Sequence, residues 1–97
     1  MISQDEIKEL LQKNRRRLET ELKQNKVLLT LLFKYTHTKL SDEEKEVMKN
    51  QLIEVFKTIP AFAIFLLPGG LLLLPIVAKL IPDIMPSSFR DDIDKGS

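Results

Sequence analysis

The chain has no cysteine, which excludes disulfides and thiolate-held metals. Its single histidine, His37, has no Cys or Asp beside it at ligand spacing, so it is expected to be a turn residue rather than a metal ligand. No nucleophile–base pair or paired carboxylates can be assembled. Pro68-Gly69-Gly70 lacks the Lys-Ser/Thr of a phosphate loop and reads as a break in the backbone. Asp91, Asp92 and Asp94 lack the spacing and the closing glutamate of a calcium loop, so they read as a polar tail. The residues give no support for an enzyme, a cofactor or a small-molecule substrate. The opening MISQDEIKEL is acidic and has no apolar core of the kind a signal peptide needs. Strand-like alternation, repeats and low-complexity linkers are all missing, and the expected fold class is all-α. At 97 residues there is room for one small domain. A net charge of +1 gives no argument for a dedicated nucleic-acid binder.

Charge is also missing from one long stretch. No charged side chain occurs between Lys57 and Lys79. As a helix, residues 58–78 would reach roughly 31 Å, about the thickness of a hydrocarbon core. Twelve large apolar residues lie inside it, together favouring insertion by about 4–7 kcal/mol. Against this, Pro68-Gly69-Gly70 in a helix interior costs on the order of 5 kcal/mol relative to alanines. The two sums nearly cancel. A straight span and two short apolar helices meeting at the break both fit, either in a membrane or as the buried hairpin of a soluble helical domain. Lys79 marks where the apolar zone ends. Charge is uneven elsewhere: residues 1–57 hold 12 Lys/Arg and 10 Asp/Glu, whereas residues 58–97 hold 3 and 4. From this asymmetry the two halves are not expected to share one core.

Two amphipathic helices precede the apolar zone. Ser3 and Glu6 form a capping box, which predicts a helix starting at Gln4 and running to residues 34–38. Its leucine stripe is Leu11, Leu18, Leu22, Leu29 and Leu32, interrupted by Asn14 and Asn25. A coiled-coil seam is conceivable, but the run is short and broken. Ser41 and Glu44 repeat the box, and Met48, Leu52, Val55, Phe56 and Ile59 lie on one face of the helix that follows. A turn at residues 36–40 folds the pair antiparallel, residues 27–33 against 48–56. Pro60 ends or kinks the second helix, and after Lys79, Pro82 and Pro86 predict an extended coda. The expected organisation is thus residues 1–40, 41–58, a hydrophobic segment at 59–90 broken by proline and glycine, and a polar tail at 91–97. Arg15, Arg16, Arg17, Lys23 and Lys26 form the one dense basic stretch. A solvated helix face is the plain reading of it; contact with phosphate is the sharper one.

The run FKTIPAFAIFLLPGGLLLLPIVAKLIPDIMPSSF resembles the membrane segment of the leucine-zipper/EF-hand-containing transmembrane (LETM) proteins of the mitochondrial inner membrane and their shorter bacterial relatives. The resemblance rests on Phe56, Pro60, Pro68, Gly69, Gly70, Pro75, Lys79, Pro82, Pro86, Ser87 and Phe89, and extends more weakly upstream to Lys26. It implies a membrane-anchored, non-enzymatic scaffold or adaptor in such an inner membrane, with lipid and the ribosome as partners and a link to cation homeostasis. A homo-oligomer is compatible with it. The competing expectation is a soluble helical module whose apolar hairpin binds a partner. The resemblance also implies that a ribosome-binding region should follow Phe89, where this chain ends too soon to hold one. It places an acid where Leu71 stands, and that departure weakens the case for cation/proton exchange.

Overall fold

Local chemistry sets the helix ends. The computed structural model describes residues 2–86. Five α-helices span Gln4–Lys13 (α1), Arg15–Lys23 (α2), Lys26–His37 (α3), Asp42–Lys57 (α4) and Leu74–Ile84 (α5). Two 3-10 helices, Pro60–Leu66 and Gly70–Leu73, connect α4 to α5. Among the described residues there is no strand, in line with the all-α expectation. The Ser3 hydroxyl accepts the Glu6 N–H at the start of α1. At α4 the box is fully reciprocal: Glu44 N–H donates to Ser41 Oγ at 3.1 Å and Ser41 N–H donates to Glu44 Oε1 at 3.0 Å. Each N-terminus thereby satisfies donors that would otherwise face the first turn unpaired.

The single long N-terminal helix of the sequence reading is in fact three helices. Asn14 has φ −107° and ψ 17°, and its side-chain amide donates to the Leu10 carbonyl at 3.0 Å. Asparagine offers the backbone an alternative to the helical ladder, and here that competition ends α1. Asn25 ends the next segment and restarts the chain. Its Oδ1 caps α3 by accepting the Leu28 N–H at 3.0 Å, while its Nδ2 donates to Gln51 of α4 at 2.5 Å. The interruptions in the leucine stripe are therefore turns, which let α1 and α3 pack on the same partner. α1 and α3 both lie against α5, and α4 lies against α3 and the first 3-10 helix.

The two halves share one core, contrary to the expectation from charge distribution. Thirteen of the buried apolar residues precede Thr58 and eleven follow it, and no charged or polar residue is buried among those described. The Cα radius of gyration, 12.5 Å, is that of one globule of this length rather than two linked lobes. Few apolar residues suffice in the first half because nearly all are spent inward: Ile7, Leu11, Leu18, Leu22, Leu28 and Leu32 are 0–1% exposed. As expected, α3 and α4 pair through Leu28, Leu29, Leu31 and Leu32 against Met48, Leu52, Val55 and Phe56, although Val27 points outward and is 58% exposed.

The apolar zone bends where Pro68 and Gly69 stand. Its two parts, Pro60–Leu66 and Gly70–Ile84, meet at 98°. No single helix among the described residues is long and apolar enough to cross a membrane, and the bent pair passes only on length and composition. Much of the zone forms protein core. Phe56, Phe62 and Phe65 are fully buried, with ring centroids 5.2–5.6 Å apart. α5 buries Leu74, Val77, Ala78, Leu80, Ile81, Pro82 and Ile84. The extended coda predicted from Pro82 is wrong: Pro82 lies within the last turn of α5, and the chain turns extended only at Met85, just before Pro86. Burial of Ile81 and Pro82 outweighs the bias that a proline exerts against helix in the residue before it.

Candidate functional site

The basic side chains of α2 do not form one free patch. Arg15 Nε donates to Glu19 Oε1 at 2.9 Å, an i,i+4 ion pair. Arg17 Nη2 donates to the Thr58 carbonyl at 2.6 Å. Thr58 is the C-cap of α4, so a guanidinium from a different helix meets the negative end of the α4 dipole. Arg17 is thus a clamp between α2 and α4. Arg16, Lys23 and Lys26 are exposed. Of the five residues singled out for phosphate contact, Arg15 and Arg17 at least are committed to other partners inside the fold.

The residues that carried the family resemblance are mostly packing and turn residues. Phe56 sits in the aromatic cluster, Pro60 opens the first 3-10 helix, and Pro68 and Gly69 are exposed at the bend. Gly70 is buried because it must be small: a Cβ there would lie 1.9 Å from the Ile64 carbonyl oxygen and 2.9 Å from Phe65 Cα. Its neighbour Gly69 has nothing within 4 Å of the same position. Pro75 lies in the first turn of α5, Lys79 is exposed on it, Pro82 is buried and Pro86 half-buried. Ser87, Phe89 and the acidic tail with Asp91, Asp92 and Asp94 lie outside the described residues.

A groove of about 410 Å³ lies between α4 and the second 3-10 helix as it enters α5. Its apolar lining is Met48, Leu52, Leu71 and Leu74, joined by Tyr35 from α3 and Pro75 of α5. Leu72 stands at its lip, 78% exposed. Lys45, Glu46 and Lys49 of α4 form the polar rim. The two lysines, one helical turn apart, enter none of the ion pairs among the described residues. Sequence reasoning missed this site because its walls come from three separate stretches. The local trace was Lys45 and Lys49 flanking the Met48–Leu52 face.

Beside the groove, the α3–α4 turn is pinned electrostatically. Lys34 Nζ lies 2.6 Å from Glu44 Oε2. That contact and the Ser41 N–H hold the Glu44 carboxyl below its ordinary value. A smaller cleft of about 270 Å³ is lined by Phe33, Thr36, His37, Pro82 and Asp83. His37 is the last residue of α3, its ring stacked on Phe33 at 4.3 Å and its Nδ1 2.8 Å from Thr36 Oγ1 and 3.0 Å from the Phe33 carbonyl oxygen. Among the described residues no group of His, Asp and Glu is arranged to hold a metal ion.

Comparison with known proteins places this geometry in a family. The family model described as LETM1-like, RBD, a ribosome-binding domain, matches residues 40–97. The match begins at the turn before α4 and takes in α4, the bend, α5 and most of the groove, but neither α2 nor its basic residues. It also corrects one expectation. The stretch likened to a membrane segment aligns with the ribosome-binding domain that had been expected only after Phe89. No curated protein matches the chain, and no solved structure does either.

Proposed function

Given that the chain belongs to the LETM1-like ribosome-binding domain family, we propose that it acts as a non-enzymatic adaptor that binds the ribosome at a membrane surface. The observation that carries the ribosomal half is the extent of the match, which covers residues 40–97 and therefore the groove-bearing side of the molecule. Purified protein should co-sediment with ribosomes, and a protein that stays in the supernatant at low salt overturns this half. The groove, rather than the α2 arginines, is the first place to look for the contact, since Arg15 and Arg17 already have partners.

The membrane half is supported by the outer surface of the bend. Ile64, Leu67 and Ile76 are 36–60% exposed there, and no charge intervenes between Lys57 and Lys79. Exposed apolar side chains, when they join into one patch, mark a protein or lipid contact. Attachment at the interface needs no spanning helix. Flotation with anionic lipid vesicles tests it: the protein should float, and Leu67→Glu should release it. A protein that remains at the bottom of the gradient removes the membrane from the proposal and leaves ribosome binding standing.

A further inference from the structure

We propose that the groove between α4 and the start of α5 docks an acidic protein segment anchored by one or two large apolar side chains, rather than ribosomal RNA. The inference rests on the ribosome-binding reading and names the kind of partner its groove takes. The floor decides the chemistry. Met48, Leu52, Leu71 and Leu74 present aliphatic surface, which gains from leaving water only against another apolar group. RNA brings phosphates and base faces. Single strands are held on aromatic platforms along a basic track, and this groove has one aromatic ring, Tyr35, and a carboxylate, Glu46, on its basic rim. A volume of about 410 Å³ suits a few side chains of a docked segment.

The rim decides the charge. Lys45 and Lys49 stand one turn apart beside the floor and enter no ion pair among the described residues. Lys34 of α3, by contrast, is held by Glu44. Two uncommitted ammonium groups outweigh the single carboxylate of Glu46, so the groove favours a segment whose apolar anchors are flanked by Asp or Glu. This is the helix-in-groove mode of recognition, with apolar residues one turn apart as anchors and charges setting orientation. Leu72 at the lip closes over the anchor.

The probe is a short fluorescein-labelled peptide with two leucines one helical turn apart, flanked by glutamates. Two controls accompany it: the same peptide with lysines for glutamates, and a fluorescein-labelled single-stranded uridine oligonucleotide. Fluorescence anisotropy should show binding of the glutamate peptide alone. Leu72→Glu should weaken it by roughly tenfold or more, as loss of an anchor contact does. Lys45→Glu with Lys49→Glu should weaken it several-fold and reverse its salt dependence, since salt then screens a repulsion, and Leu67→Glu, outside the groove, should leave it unchanged. Equal binding of the lysine peptide, indifference to Leu72→Glu, or oligonucleotide binding through Lys45 and Lys49 overturns the proposal. Ribosome co-sedimentation with the same variants separates the two readings. Peptide binding without ribosome binding retains the groove and rejects the ribosome; ribosome binding without peptide binding does the reverse.

Discussion

Two neighbouring glycines should respond in opposite directions to the same methyl group. A Cβ on Gly70 would sit 1.9 Å from the Ile64 oxygen and 2.9 Å from both Ile64 C and Phe65 Cα, all backbone atoms. Ordinary contact requires the first 3-10 helix to retreat by about 1.5 Å. It cannot do so freely, because Phe62 and Phe65 are fully buried and packed on Phe56. Overpacking typically costs 1–3 kcal/mol, and rigid backbone on the far side puts Gly70→Ala at about 3 kcal/mol. For a domain of this size that is a fall in Tm of about 12–24 °C. Gly69 sits at φ −68° and ψ −29°, in ordinary helical space, with nothing within 4 Å of a Cβ. Gly69→Ala should therefore stabilise by about 0.4–1 kcal/mol, by restricting the unfolded chain. Far-UV circular dichroism melts of the two variants beside wild type provide the test. If Gly70→Ala melts with wild type, or if Gly69→Ala loses as much as Gly70→Ala, the pair serves backbone freedom and the steric argument is wrong.

Other outcomes follow from the same structure. Arg17→Ala should lower stability by about 1 kcal/mol, since it uncaps α4 at a solvent-facing site, whereas Arg16→Ala should be neutral; equal melts for both would refute the clamp. The Glu44 carboxyl is held below its ordinary value of 4.5 by Lys34 and the Ser41 N–H, so its folded pKa lies below its unfolded one. Its stabilising contribution is complete above pH 4.5 and is lost as pH falls through the lower, folded value. Glu44→Gln should thus melt below wild type at neutral pH, and the gap should close in acid; a gap independent of pH contradicts this. The chain should not by itself exchange protons for cations, because no ionisable group lies between Lys57 and Lys79 to relay one. Proton flux into vesicles carrying the protein, above that of empty vesicles under a potassium gradient, would show otherwise.

Legibility followed the range of the interactions. The N-cap at Ser3 and the capping box at Ser41 were readable because donor, acceptor and spacing all lie within four residues. The break at Pro68 and Gly69 was readable for the same reason, and the two parts meet there at 98°. Asn14 and Asn25 were visible as flaws in a stripe, but the contact of Asn25 with Gln51 lies on another helix and cannot be read locally. Pro82 misled because a local rule met a tertiary reward: the core accepts it on α5. The length and composition of residues 58–78 suit lipid and protein interior alike, and only the packing partners show how much of the stretch faces α1, α3 and α4. The groove was the least legible feature. Tyr35, Met48 and Leu72 come from three elements, and no periodicity links them.

The packing of α1 on α5 joins the two ends of the described chain, with consequences for the order in which the molecule is built. Ile7 and Val77 are both fully buried yet lie some 70 residues apart, so their part of the core closes across a long loop. During synthesis α1 is made well before α5, and the face of α1 that α5 covers stays open until α5 is out. The pair of α3 and α4 with its short turn can form meanwhile, because its contacts are near in sequence. Docking of α1 onto α5 is then a late event. A chain halted before residue 74 would hold the α3–α4 pair and leave Ile7 and Leu11 open to solvent, in a form that a chaperone or a protease would recognise.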